Sequence, residues 1–165
     1  MTNLADITGT WRLTGHHDDF YLGSFDVDGV SDEDLTRVLD KLWDQWMEEL
    51  PTEIPEFSEV TGRELTIAED GTLTETGSID EETMDVDGVL TPGEEPFSGN
   101  VQTAGGFLVI MADDAESVGD YCRTSDGDAD VTDSLQLVDG TLIRAQSLVT
   151  DGMYPSRIWL RYERA

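Results

Sequence analysis

The chain has 165 residues, 37 of them acidic and 9 basic, for a formal net charge of −28. That length suits one compact domain, able to bury roughly two-thirds of the surface its unfolded chain exposes. With 38% apolar residues and four Trp it is no disordered acidic tail, and so negative a surface repels a nucleic-acid backbone or an anionic membrane, which excludes both as partners.

No apolar run approaches the ~18–20 residues of a membrane span. The start, MTNLADITGTW, has no cationic segment followed by an apolar one. The expectation is a cytoplasmic protein with no membrane insertion and no secretory signal. A single Cys122 rules out an internal disulfide. Lys41 is the only lysine against eight arginines, and the carboxylates are spread through nearly every expected turn. An acidic face could attract a cation or a basic partner, but dispersed charge makes a solvated coat rather than a site. A salt-adapted source and a GC-rich source both account for the shortage of lysine.

In chain order, Thr8 to Leu13 reads as a first strand, and His17 to Phe25 as a short helical turn with Phe20, Tyr21 and Phe25 on its apolar side. Ser31 and Asp34 resemble a capping box. Leu35, Val38, Leu39, Leu42, Trp43, Trp46, Met47 and Leu50 follow at helical spacing until Pro51 stops the run. Trp43, Trp46 and Met47 are read as core residues on the barrel rim or as the lining of a lid. The helical insertion thus spans about 17–50. From Val60 the period changes to short β-rich runs separated by turn signals such as Asp70-Gly71, Asp126-Gly127 and Asp139-Gly140, since glycine accepts the positive φ of a tight turn. Strands are expected near 61–68, 72–79, 83–90, 95–103, 106–112, 117–125, 130–138, 141–150 and 156–164. With the first strand the count is ten. Evenly spaced strands and short turns predict an all-β, up-and-down antiparallel β-barrel of about ten strands, with a helical cap inserted after the first strand. Neither a linker nor an internal repeat is visible, so residues 1–165 are read as one domain.

A strand carrying Gly9-Thr-Trp-Arg-Leu13, a helical insertion and a run of hairpins resembles the intracellular fatty-acid-binding protein family within the calycin superfamily of lipocalin-like barrels. Asp18-Asp-Phe-Tyr-Leu22, Val27-Asp-Gly-Val30 and the closing Arg161-Tyr-Glu-Arg-Ala165 extend the similarity. The resemblance implies a flattened barrel around a water-containing cavity with a helical pair over its mouth. The chain departs from that pattern in being longer by roughly a quarter, with most of the excess in the second helix and residues 53–59. An arginine is expected two residues before the closing Tyr162, but Leu160 stands there. Its partner arginine is missing from Ser134-Leu-Gln-Leu137.

Strand alternation then selects candidates. If Tyr162 points inward as the resemblance implies, Leu160 and Ile158 join it, while Arg157, Trp159 and Arg161 face outward. Counting from Asp139-Gly140 places Leu142, Arg144, Gln146 and Leu148 on one face, which the resemblance puts inside. A lone guanidinium there needs water, a carboxylate or an anionic ligand; a bulge that reversed the parity would put Arg144 in solvent instead. Arg123, with Tyr121 two residues before it, is a second candidate. Calycins often stack a C-terminal arginine on the Gly-x-Trp indole, and Arg161 over Trp11 is the expected structural pair.

His16 and His17 are adjacent, so on an extended chain they point to opposite sides and cannot easily chelate one ion. Either could act as a general acid or base at a cavity mouth, or both could be solvent-exposed. No metal is expected, and no cofactor, because no Gly-rich phosphate loop, serine elbow or Cys/His arrangement is present. The leading functional expectation is binding of a small hydrophobic or amphipathic molecule inside the barrel through Arg144, Gln146 and Tyr162. The alternatives are a barrel cyclase or isomerase acting on a hydrophobic biosynthetic intermediate, and a structural role with the interior filled by side chains.

Overall fold

The structure, a computed structural model, describes residues 2–20, 53–77, 96–104, 107–112, 129–150 and 154–165. A single turn of helix, α1 (Leu4–Ile7), comes first. Among the described residues nine strands follow: β1 (Gly9–Phe20), β2 (Ser58–Glu59), β3 (Arg63–Ile67), β4 (Thr72–Gly77), β5 (Phe97–Ala104), β6 (Phe107–Ala112), β7 (Ala129–Val138), β8 (Thr141–Thr150) and β9 (Tyr154–Arg164).

Every pairing is antiparallel; from β3 to β9 each strand pairs with the next, β1 pairs with β2 and β3, and β1 also pairs with β9, which closes the sheet on itself. β3 pairs with Gly9–Arg12 of β1 and β2 with Gly15 and His16, so the two short strands run in tandem along one edge of β1. The result is a closed up-and-down barrel of eight staves. Closure removes the unpaired strand edges that would otherwise template aggregation.

Ten staves are expected from the sequence, and the difference has a clear origin. Thr72–Glu75 of β4 pair directly with Phe97–Asn100 of β5, and Leu108 and Val109 of β6 pair with Leu135 and Ser134 of β7. The segments expected as strands at 83–90 and 117–125 lie outside the described residues. The helical turn expected from His17 is also replaced in part. His17–Phe20 continue β1, their backbone paired with Ser156–Trp159 of β9, because the ladder that closes the barrel supplies partners a lone helical turn would lack. The expected helix over 31–50 lies outside the described residues, and the described helix, α1, precedes β1.

The turns bear out the aspartate–glycine signals that fall on described residues. Asp139 and Gly140 have φ of 51° and 83°, the left-handed pair required by a two-residue hairpin, and Val138 pairs with Thr141 across them. At the β3–β4 turn Asp70 Oδ1 accepts a hydrogen bond from Thr72 N at 2.9 Å, and Gly71 takes φ 89°.

Alternation along the strands builds the core. Leu65, Ile67, Leu73, Val101, Leu108, Ile110, Leu135, Leu142, Leu160 and Tyr162 are buried together inside. α1 shuts one end of the barrel. Asn3 N donates to Asp6 Oδ2 at 3.0 Å, holding the turn, and Ile7 drops into the core beside Trp11. Trp11 Nε1 donates to Ile7 O at 2.8 Å, so the buried indole loses no hydrogen bond. A smaller apolar group on the outer face of β8 and β9, made by Ile143, Ala145 and Trp159, is buried as well, with Phe57 and Val138 packed against it.

Candidate ligand-binding site

β8 carries three inward side chains in succession. Leu142 pairs across to Tyr162, Arg144 to Leu160 and Gln146 to Ile158 on β9. On the other side they face Leu137, Leu135 and Asp133 of β7. Parity counted from the Asp139-Gly140 turn therefore holds, with no bulge between β7 and β8, and Arg144 is fully buried inside the barrel.

The guanidinium is not alone there. Arg144 Nε donates to Asp133 Oδ1 at 2.9 Å and Nη2 to Oδ2 at 2.6 Å, a two-pronged pairing. On its other side Nη1 donates to Glu75 Oε2 at 2.8 Å. Glu75 Oε1 accepts from Tyr162 Oη at 2.9 Å and lies 3.5 Å from Arg63 Nε. Arg63 Nη1 also donates to Gly77 O at 3.3 Å. Gln146 Nε2 donates to Asp133 Oδ2 at 3.1 Å. The ring of Phe97 sits under Arg144, 4.9 Å from centroid to guanidinium carbon. Burial alone would lower the Arg144 pKa, but the Asp133 carboxylate, with Tyr162 and Glu75, overrides it and holds the guanidinium well above the ordinary arginine range. Among the described residues two guanidiniums thus face two carboxyl groups, which balances their charge. Of the partners expected for a guanidinium there, water, a carboxylate or an anionic ligand, it is carboxylates that Arg144 meets.

One atom of this network has no donor. Gln146 is 1% exposed, and its Oε1 has no hydrogen-bond partner among the described residues. The amide cannot turn round to satisfy it, because Asp133, which receives the Arg144 fork, offers acceptors and needs the NH2 side.

Arg63, Glu75 and Asp133 are the members that the candidate residues omit, although their signal is in the alternation. Arg63-Glu-Leu-Thr-Ile67 gives Arg63 the parity of Leu65 and Ile67, and Thr72-Leu-Thr-Glu75 gives Glu75 that of Leu73. Asp133 shares the face of Leu135 and Leu137.

The expected stacking of Arg161 on Trp11 is corrected to Arg164. Arg164 is the direct cross-strand partner of Trp11, its guanidinium carbon is 4.2 Å from the indole, and its Nη1 and Nη2 donate to Thr8 O and Asp6 O at 2.7 Å each. Tyr162 and Trp11 face inward, so only an even-numbered residue of β9 can reach that face. Arg161 lies outside, donating to Thr14 Oγ1 and Thr14 O at 3.1 and 3.0 Å, with Phe57 beneath it at 5.3 Å.

The histidines separate as alternation requires, and a bulge decides which goes where. The β1–β9 register shifts between Leu13 and Gly15, so His16 falls opposite inward Leu160 and His17 opposite outward Trp159. His16 is buried, two staves from Arg144 in the same row of pairs. Tyr121 and Arg123 lie outside the described residues. Among the described residues no three His, Cys, Asp or Glu side chains are grouped to hold a metal, and no helix is long and apolar enough to cross a membrane.

No family model matches the sequence, and no curated protein matches it. Among solved structures the chain is similar to zebrafish ileal bile acid-binding protein complexed with cholic acid. The identity is 13%, the match covers 97% of this chain and 99% of that chain, and the TM-score is 0.37. The strand pairings, rather than this likeness, establish the closed barrel.

Proposed function

We propose that the barrel binds a small hydrophobic or amphipathic molecule in its interior, with Arg144, Gln146 and Tyr162 positioning the polar end. The observation that carries this reading is the buried polar group on the inner wall, set among the apolar side chains of the core, with one acceptor left over. A barrel whose interior served packing alone would be simpler to fill with apolar side chains, because buried ion pairs rarely stabilise more than a hydrophobic replacement does. The end bearing α1 is filled by Ile7, Trp11 and Leu13, so the ligand is assigned to the opposite side of the network, beyond Gln146 and Asp133. Apolar residues of the wall would bury its body, as in ligand sites generally.

Native mass spectrometry of freshly purified protein, paired with titration of an apolar fluorophore, tests the reading. A co-purifying small molecule, or saturable fluorophore binding that an added amphiphile displaces, is the expected result. A bare mass together with no fluorophore binding would leave the barrel a structural element.

A second reading, a cyclase or isomerase, draws on His16. An inward imidazole in the same row as Arg144 could move a proton while the network holds the substrate. Turnover of a hydrophobic intermediate that His16→Gln abolishes without loss of binding would favour it.

A further inference from the structure

We infer that the molecule held in this barrel is neutral and donates a hydrogen bond, through a hydroxyl or an N–H, to Gln146 Oε1. The inference rests on the binding reading above and narrows it to a chemical class.

The first ground is charge. A barrel built to anchor a carboxylate needs positive charge left for the ligand. Here Arg144 is spanned by Asp133 and Glu75, and Arg63 leans on Glu75, so two guanidiniums already face two carboxyl groups. Bringing an anion into this group would add a net buried charge and set it beside Asp133 and Glu75, both of which repel it.

The second ground is independent of the first. Gln146 Oε1 is buried and has no donor, and its orientation is dictated by Asp133 on the other side of the amide. A buried acceptor without a donor is costly, so a group that supplies one gains more than it would in water. Only a donor suits it. A carboxylate, an ether or a second carbonyl would set oxygen against oxygen. Ile158 flanks Gln146 across the β8–β9 ladder, so the partner combines a donor with an apolar body.

The test uses three probes of matched length on the intact protein, in one buffer with enough NaCl to screen the surface charge: dodecan-1-ol, 1-methoxyundecane and dodecanoate. Each displaces the same bound apolar fluorophore. The alcohol is expected to bind about three- to tenfold more tightly than the ether, the span of one net hydrogen bond. Dodecanoate is expected to bind more weakly than the alcohol. Gln146→Leu is expected to erase the alcohol-over-ether preference. Equal binding of alcohol and ether to the unaltered protein, as would follow if a single buried water satisfied Gln146, overturns the inference, as does a preference for dodecanoate. The comparison on the unaltered protein stands even if Gln146→Leu fails to fold. If the fluorophore itself does not bind, the binding reading fails, and the inference fails with it.

Discussion

Arg144→Met keeps most of the side-chain volume and removes the charge at the centre of the interior network. It deletes the fork to Asp133 and the 2.8 Å bond to Glu75, and so takes from Asp133 the guanidinium that pairs with it while Glu75 keeps Arg63 beside it. Removing one partner of a buried ion pair costs about 3–5 kcal/mol, because the remaining charge stays out of water. In a chain of this length 1 kcal/mol moves the melting temperature by about 2–4 °C, so a fall of roughly 6–20 °C is expected. The double variant Arg144→Met/Asp133→Asn restores the balance, leaving Arg63 against Glu75, and is expected to recover more than half of the loss. Urea denaturation followed by tryptophan fluorescence measures both, since urea leaves the ionic strength unchanged. Equal stability of Arg144→Met and parent, or a double variant as damaged as the sum of its parts, would refute the reasoning.

Arg164→Gln is expected to lower stability by about 1–3 kcal/mol through loss of the indole stack and two carbonyl contacts, and Arg161→Gln by less, in the same denaturation assay. The opposite ranking would return the stacking role to Arg161. Gly77→Ala is expected to be clearly more damaging than Gly140→Ala: both have positive φ, but a methyl group at Gly77 meets the Gly62 carbonyl while one at Gly140 meets nothing. Asp70, whose carboxyl the Thr72 N–H and hydroxyl hold below the usual range, contributes stability above the unfolded aspartate pKa that is lost as pH falls through its own lower value. Asp70→Asn should therefore flatten part of the acid limb of a stability–pH curve, and an unchanged limb counts against that assignment. With a net charge of −28, the melting temperature should climb as NaCl is raised toward about 1 M, where the Debye length falls to about 3 Å, and climb less in a variant with surface carboxylates neutralised. A flat profile in both removes self-repulsion as a factor.

Much of the barrel is legible in the sequence because two signals there are purely local. Asp139-Gly140 supplies the left-handed pair for a two-residue turn, and that turn alone fixes the parity of β7 and β8, hence the inward placement of Arg144 and Gln146. Closure is less legible, since β4 meets β5 and β6 meets β7 across segments whose length and β-rich runs read as additional strands. The bulge at Thr14 is invisible as well, although it decides that His16 and not His17 faces inward. The pairing of Arg144 with Glu75 joins residues 69 apart in sequence, and no periodicity within a strand reports which carboxylate a curved sheet will bring round. The Arg164 stack, by contrast, follows from parity once Trp11 and Tyr162 are both taken as inward.

The seam between β1 and β9 has a consequence for how the chain reaches this shape. Hairpins such as β7–β8 join residues whose separation starts at three, whereas the seam joins Trp11 to Arg164 and Phe20 to Ser156. Loop-closure entropy makes such distant pairings late and slow. Until they form, the growing sheet is an open ribbon with two unsatisfied edges, and a chain this acidic meets its own copies with like charge at that vulnerable stage. The charge that strains the finished barrel thus doubles as protection for the unfinished one.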